Sequence, residues 1–343
     1  MEKTVSIIMV NYNGVKYIGQ ENLCAIINSF LKTDYENFEF IFVDNNSDDD
    51  SISYVKSIFD DNKNIKTNIV KTVGNLGFAG GCNEGMKFAN GEYICLVNND
   101  DKALGTKWLI NLANVLESDK NIGVVFAKKM RWDNEGIIDA VGLTMNRAGL
   151  IVQSGNGDID NEQYNDIKEC LIWQTPLLFR KNITDDIGKF FDDDYVILND
   201  DTDSSLRIWL AGYKIVYVPS SIVSHIRSAT MKHLPIEFVA FHGRKNTIQT
   251  LIKNYDIMNL IMWLPITLFI YSSASIYYVY IKRYDHARAT VNAIFWNITH
   301  IRNTIKKRRI IQKLRTVGDS EIMKHMASLN MMKIISGDKV WPK

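Results

Sequence analysis

The chain has 343 residues, 46% of them apolar and 23% charged. Those proportions suit a globular enzyme and exclude a disordered chain. The formal charge of +1 is unevenly spread: Lys282 to Arg315 holds ten basic residues against Asp285 alone, a net +9, which leaves −8 on the rest and calls for an anionic partner of the basic stretch.

From the N-terminus, the polar lead Met1–Thr4 runs straight into Val5–Val10. That run is too short for a signal-peptide core and reads as a strand, so a cytosolic enzyme is expected. It ends at Asn11-Tyr12-Asn13-Gly14. Helical spacing follows in Leu23, Ile26, Ile27, Phe30 and Leu31. Phe38–Val43 is a second strand, ending at Asp44-Asn45-Asn46-Ser47. Asn68–Val73 is a weaker third, and Tyr93–Val97 a fourth, ending at Asn98-Asn99-Asp100-Asp101. Nearly continuous apolar runs separated by helical patterns predict an α/β fold with a parallel sheet between helices. In such sheets ligands bind outside the carboxyl ends of the strands. Asp44, Asn98 and Asp100 should therefore meet at one cleft.

Beyond Gly123 the pattern loosens. Val124–Ala127 reads as a strand, Ile137–Gly155 as extended and glycine-punctuated structure, and Trp173–Phe179 as another strand. Asp200–Ala211 reads as a helix stopped by Gly212, and Lys214–Val218 as the last clear strand, closed by Pro219. Ile257 to Ile281 contains no charged residue, and the basic stretch follows. None of the four cysteines, Cys24, Cys82, Cys95 and Cys170, forms a C-x-x-C pair, which fits free thiols in a reducing compartment.

Several segments are suited to chemistry. Asn75-Leu76-Gly77-Phe78-Ala79-Gly80-Gly81-Cys82-Asn83 follows a strand and opens a helix; it is either a plain glycine-rich turn or a backbone approach to a nucleotide. Asn98 to Asp101 could hold Mg²⁺ or Mn²⁺, or simply cap the helix beginning near Thr106. Asn199-Asp200-Asp201-Thr202-Asp203 could cap a helix or supply a general base. A lone His225 gains weight only if the sheet returns it to the cleft.

Taken in order, these segments resemble family 2 glycosyltransferases with the GT-A fold, in particular their rhamnosyltransferase-like branch. Val5 to Gly14 is similar to the family's first strand and turn, and Phe42 to Asp49 to its V-D-N-x-S-x-D segment. Asn75 to Asn83 is similar to N-x-G-F-A-G-G-x-N, and Leu96 to Asp100 to the D-x-D position. Asp200 to Asp203 with Arg207, Gly212-Tyr213, Val218-Pro219 and His225 resembles the E-D-x-D…R…G-Y…P…H block. Arg244-Lys245-Asn246 and Lys307-Arg308-Arg309 resemble the branch's C-terminal region.

The resemblance implies roles. Asp44 would bind the base, helped by Asn11 and Tyr12; Asn75, Gly77 and Asn83 would line the donor site; Asn98 would touch ribose or diphosphate. Asp100 and His225 would hold a divalent metal, Mn²⁺ or Mg²⁺. Asp201 would be the general base of an inverting single displacement, with Asp200 and Arg207 also at the substrates. Three departures stand out: Asp200 where Glu is usual, Asn98 opening the D-x-D (with Asp101 available if the register shifts by one), and no glycine in Trp173-Gln174-Thr175-Pro176, which leaves the acceptor open. A nucleotidyltransferase would need a Gly-rich, Lys/Arg-bearing loop after the first strand; Asn11 to Lys16 offers one lysine and no glycine cluster. A non-catalytic membrane partner would have no need of Asp100, Asp201 and His225.

The expected organisation is a catalytic domain over 1–234, with a nucleotide-sugar half over about 1–105 and an acceptor half over about 106–234, and a helical membrane-associating region over 235–343. Ile257–Ile281 is long enough to cross a bilayer. Nucleotide sugars are cytosolic, however, and the +9 stretch should stay on that side too, so one crossing cannot serve both flanks. A bent, in-plane or re-entrant helix pair is expected at the cytoplasmic face of the membrane, with Lys306–Arg315 on anionic head groups. The implied partners are a nucleotide-sugar donor and a lipid-linked acceptor, as in cell-surface polysaccharide or glycoconjugate biosynthesis. The basic stretch follows an apolar segment and carries no nucleic-acid-binding module, so nucleic acid is not expected.

Overall fold

A computed structural model describes residues 2–227 and 231–328. The first part alternates β1 (Val5–Asn11), α1 (Gly14–Ile18), α2 (Gln20–Leu31), β2 (Phe38–Asp44), α3 (Ser51–Asp61), β3 (Lys66–Lys71), α4 (Gly77–Met86) and β4 (Tyr93–Asn98). Next come β5 (Asp101–Ala103), α5 (Trp108–Ser118), β6 (Ile122–Arg131), β7 (Ile138–Ala140), β8 (Leu143–Met145), β9 (Ile151–Gln153), β10 (Lys168–Glu169) and β11 (Leu177–Arg180). α6 (Ile183–Ile187), α7 (Asp200–Leu210) and β12 (Lys214–His225) follow, then the helices α8 (Ile236–Asn254), α9 (Ile257–Tyr280), α10 (Tyr284–Thr299), α11 (Ile301–Leu314) and α12 (Asp319–Met323).

The main sheet runs β3-β2-β1-β4-β11-β6-β12-β10, with β5 beside β12 and β7 beside β6. β1 to β4 are mutually parallel, and β6 is parallel to β12. β11 lies between β4 and β6, antiparallel to both, so β6 and β12 run in the same direction as β1. The sheet's long strands are mostly parallel, with β11 reversed among them and the short β5, β7 and β10 antiparallel to their neighbours. Asn11, Asp44, Asn98, Arg131 and His225 consequently all end strands on one edge. The chain order turns between β1 and β4, which in open α/β sheets marks the ligand crevice.

Alternation along β1 feeds both layers. Ile8 and Val10 pack with Ala79 and Cys82 of α4 and with α7, while Ile7 and Met9 pack with Leu23 and Phe30 of α2 and Leu112 of α5. The glycines of α4 serve this packing. A Cβ on Gly81 would lie 2.6 Å from Val10 Cγ1, and one on Gly85 2.5 Å from Ile8 Cγ2, so the helix rides directly on the sheet. All four cysteines are free.

Two strand expectations are corrected. Lys214–Val218 does not stop at Pro219: β12 continues to His225, with Pro219 and Ser220 in a register shift between Val218 and Ile222 where no ladder N–H is needed. Trp173–Phe179 is a strand only from Leu177. Pro176 has no N–H to give, and the residues before it bond elsewhere, Trp173 Nε1 donating to Ser204 Oγ at 3.1 Å and Gln174 Nε2 to the Ala127 and Ala140 carbonyls.

The C-terminal helices are bound to the α/β layers by charge. Lys253 Nζ of α8 lies 2.6 Å from Asp192 and 2.9 Å from Asp203, all three side chains being largely buried. Lys307 of α11 pairs with Asp192 and, at 2.6 Å, with Asp194. Arg308 Nη1 donates to the Ile252 and Tyr255 carbonyls, and Arg315 pairs with Asp319 at 2.6 Å. Part of the basic stretch expected to meet head groups is thus turned inward. α9 is one continuous helix with Pro265 inside it, and α10 follows after a short turn. Only Thr267 and Tyr271 of α9 are buried, and Thr267 Oγ1 donates to Ala148 O at 2.9 Å, tying mid-helix to the α/β layers.

Candidate active site

The turns after β1 and β2 lock together. Asn45 N donates to Asn11 O at 2.7 Å, Asn13 N to Ser47 Oγ at 2.9 Å, and Asp48 N to Asn13 Oδ1 at 2.8 Å. Asn13 holds φ 51°, a left-handed geometry that asparagine tolerates. Gly14 leaves room for the Asn11 side chain, whose Oδ1 would be 2.2 Å from a Cβ there and instead accepts from Asn99 Nδ2 at 2.8 Å. Within this lock Asp44 is fully buried. Its Oδ2 accepts from Ser47 N at 3.2 Å, and its Oδ1 has no hydrogen-bond partner among the described residues. A buried carboxylate oxygen without a donor is costly unless a ligand supplies one. Tyr12 follows, its ring 6.2 Å from that of Tyr17.

Asn45, part of the V-D-N-x-S-x-D segment but given no role from the sequence, organises the next loop. Its Nδ2 donates to Asn75 Oδ1 at 3.0 Å and Gly77 O at 2.9 Å, and its Oδ1 accepts from Leu76 N at 3.0 Å. Gly77 is needed twice: it has φ +71°, and a Cβ would collide with Val196 O at 2.0 Å. The glycine-rich segment is thereby a packing device that carries the 196–200 backbone to the sheet edge. Asn83 Nδ2 donates to Phe191 O and Asp193 Oδ1, so its amide ties α4 to the 191–193 segment.

At the far side of the crevice, Asp100, Asp101 and His225 bring ligand atoms within 4.8 Å of one another. His225 is far in sequence from the two adjacent aspartates, and antiparallel pairing of β5 with β12 sets it opposite Asp101. Asp101 is fully buried and already engaged: Lys129 Nζ donates to both its oxygens at 2.9 and 3.0 Å, and Thr175 Oγ1 to Oδ2 at 2.8 Å. Asp100 is the carboxylate left open, its Oδ2 3.5 Å from His225 Nε2. Two ligands at about 2.1 Å on adjacent octahedral positions sit about 3 Å apart, so an oxygen and an imidazole nitrogen at this spacing suit a Mn²⁺ or Mg²⁺ ion. The other ring nitrogen, Nδ1, is 2.7 Å from Asp139 Oδ2. Burial and the Lys129 ammonium push the His225 pKa down, but Asp100 and Asp139 more than offset them and raise it to about 9. Lys129 and Asp139 carry no strand-end or motif signal, and only the pairing of β6 with β7 and β12 brings them here.

Asp200 and Asp201 open α7. Burial raises both above the usual carboxylate range, Asp200 further through the neighbouring Asp201 and Asp203 charges. Asp201 is placed at about 6, where a general base for neutral pH belongs. Its Oδ1 accepts from Thr202 N at 2.6 Å. Asp203 is structural, pairing with Arg207 at 3.1 Å and Lys253. Arg207, expected at the substrate, is instead 5% exposed, and its remaining donors go to the Ile187, Lys189 and Phe190 carbonyls. A guanidinium so occupied fixes the segment leading to Asp192. Asn98 ends β4 beside Val10, half-buried at the edge.

An uncharacterized glycosyltransferase of Haemophilus influenzae is 27% identical over 275 residues, spanning 73% of this chain and 77% of that one. The UDP-Glc:alpha-D-GlcNAc-diphosphoundecaprenol beta-1,3-glucosyltransferase WfgD of Escherichia coli is 28% identical over 134 residues, 39% of this chain and about half (49%) of the relative. The structure of the mannosyltransferase PcManGT from Pyrobaculum calidifontis, in complex with GDP-Man and Mn²⁺, matches in fold with a TM-score of 0.53 at 14% identity, over 99% of this chain and 89% of that one. The glycosyl transferase family 2 model matches residues 6–188, more than half of the chain. This chain therefore belongs to glycosyl transferase family 2 and has the GT-A fold, a mixed α/β sheet flanked by helices, extended by a C-terminal helical region.

Proposed function

We propose that this glycosyltransferase moves a hexosyl or deoxyhexosyl group from a nucleotide sugar to a lipid-linked acceptor, with inversion, by one metal-assisted displacement. The observation that carries the reading is the open Asp100–His225 pair, 3.5 Å apart at the carboxyl edge of the parallel strands. A fold match bound to GDP-Man and Mn²⁺ supports a nucleotide-sugar donor and a divalent ion, and the WfgD name supports a diphosphoundecaprenol-linked acceptor. The rhamnosyltransferase-like branch rests on the motif resemblance.

In this reading Asp44, with its unpartnered Oδ1, accepts from the nucleotide base beside Asn11 and Tyr12. Asn75 and Gly77 wall the donor, Asn83 holds that wall to the 191–193 segment, and Asn98 meets ribose or diphosphate. Asp100 and His225 would hold Mn²⁺ or Mg²⁺, which when bound neutralises the charge gathering on the departing nucleoside diphosphate. Asp201 takes the proton of the acceptor hydroxyl as that oxygen attacks the anomeric carbon, with Asp200 beside it shaping the proton site. No covalent nucleophile is required.

Residues 1–234 act as the catalytic unit, and the helical region faces a membrane on its cytoplasmic side over residues 235–328, the remainder of the expected 235–343 region lying outside the described residues. Most large apolar side chains left exposed among the described residues lie between Ile257 and Ile310, including Met258, Ile261, Phe269, Tyr280 and Phe295. Exposed Lys282, Arg283, Arg288, Arg302, Lys306 and Arg309 accompany them, a mixture that suits an anionic bilayer surface. A role in cell-surface polysaccharide or glycoconjugate synthesis follows. The test is a donor screen on the purified chain, reading nucleotide release with EDTA, Mn²⁺ or Mg²⁺. Release from one nucleotide sugar that EDTA abolishes and a metal restores is expected; metal-independent release would sink the metal role.

A further inference from the structure

We infer that Asp139 is the positioning residue for the metal-facing histidine: by holding His225 through Nδ1 it aims Nε2 at Asp100 and fixes which nitrogen meets the cation. The inference rests on the reading of Asp100 and His225 as metal ligands and extends it to a residue outside every motif of the chain. Three observations carry it. Asp139 Oδ2 lies 2.7 Å from His225 Nδ1, while Nε2 lies 3.5 Å from Asp100 Oδ2, so the two carboxylates hold the ring from opposite nitrogens. Asp139 is 3% exposed, on a strand rather than a loop, and so has little freedom to swing away. Its other oxygen lies 2.9 Å from Arg227 Nε, an ion pair without hydrogen-bond geometry, and its backbone carbonyl accepts from Gln153 Nε2 at 2.8 Å, which holds the strand that carries it.

The physics follows from imidazole chemistry. A metal takes the lone pair of a nitrogen without a proton, so the remaining proton must sit on the other nitrogen. A carboxylate on Nδ1 accepts that proton's hydrogen bond, selects the tautomer with Nε2 free, stops rotation about the Cβ–Cγ bond and makes Nε2 a better donor. Asp101 cannot take this part, because Lys129 and Thr175 occupy it. Removing such an outer partner typically weakens metal affinity by about 10–100-fold.

The test is Mn²⁺ binding to the full chain, read by the loss of the free-ion electron paramagnetic resonance signal, alone and with UDP or GDP. Wild type is compared with Asp139→Ala, Asp139→Asn and His225→Ala, with thermal melting as a fold check. Asp139→Ala should raise the Mn²⁺ Kd by about 10–100-fold. Asp139→Asn keeps an acceptor oxygen but loses the charge and should fall between Asp139→Ala and wild type, so an effect survives in the gentler variant even if the alanine one folds poorly. If both Asp139 variants bind Mn²⁺ like wild type while His225→Ala does not, Asp139 has no positioning role. If His225→Ala also binds normally, or wild type binds no Mn²⁺ in any condition, the ligand assignment fails and the inference with it.

Discussion

At the residue scale the decisive groups are those whose surroundings change their chemistry. Asp201 sits at about 6 because burial disfavours its charge. A base must be ionised to work, so turnover should fall as the pH drops through about 6 to 7, where the Asp200–Asp201 pair takes up protons. A pH–kcat profile whose acid limb lies near 4 would contradict that arrangement. Asp201→Asn should lower kcat by about two to four orders of magnitude while leaving donor affinity nearly unchanged. Single-turnover rates beside nucleotide-binding isotherms separate the two, and near-normal kcat would remove Asp201 from the mechanism. Such raised carboxylates were not visible in the sequence. A D-D-T-D run at a helix start is equally a cap, and only the surroundings distinguish the acids: Asp203 is locked by Arg207 and Lys253, and the Asp201 carboxylate, among the described residues, accepts from Thr202 alone.

At the element scale α4 shows how one segment supports two readings. Its glycines invite a phosphate-binding interpretation, yet Gly81 and Gly85 face Val10 and Ile8 at distances that no Cβ could occupy. Gly81→Ala should therefore lift α4 from β1 and cost about 1–3 kcal/mol. Gly74→Ala meets nothing within 4 Å and has an ordinary backbone, so it serves as the control. Urea unfolding of the two variants checks this, and equal stabilities would mean that the helix moves freely on the sheet. β12 teaches the opposite lesson: proline looked like a stop and was a bulge, and the extra turn of strand is what delivers His225 to Asp100. The periodicity of β1, β2 and β4 was legible because both faces of these strands are buried. β5 and β7 were not read as separate strands, and β11 was read as a strand but not as a reversed one, since three or four residues carry no period of their own and owe their geometry to their neighbours.

At the scale of the whole molecule the helical region is wired into the catalytic layers. Lys253 bridges Asp192 and Asp203, two residues beyond Asp201, and Lys307 bridges Asp192 and Asp194. Cutting the chain after Leu234 takes both cations, Lys253 and Lys307, from buried Asp192 and leaves Asp203 with Arg207 alone, and breaking even one buried pair typically costs about 3–5 kcal/mol. Residues 1–234 alone should be insoluble or largely unfolded by circular dichroism; a folded, donor-binding fragment would show that the clamp is dispensable. The same clamp gives an acid signature. Burial opposes the ionised form of Asp192, but Lys253 and Lys307 hold it well below the usual carboxylate range. Its contribution to stability is therefore full above about pH 4, the unfolded value, and is lost as the pH falls further. The outward face predicts location: replacing Ile261, Phe269 and Tyr280 together by Glu should abolish co-sedimentation with phosphatidylglycerol vesicles and leave metal-dependent nucleotide release intact. Unchanged sedimentation would refute the membrane face, and loss of a concentration-dependent dimer instead would identify a second copy of the chain as its occupant.

The sequence by itself determined the α/β rhythm, the polar strand ends and the family, because buried strands and tight turns admit few residue types and announce themselves locally. Burial, pairing and charge compensation were decided only by the tertiary structure. Asp101 and Asp100 are neighbours of the same type, but Lys129 neutralises the first and leaves the second open to His225. Lys307 and Lys306 are likewise adjacent, one turned to buried acids and the other to solvent. Which of two equal side chains does chemistry depends on what a distant strand or helix places beside it, and that is a property of the packed chain rather than of the local pattern.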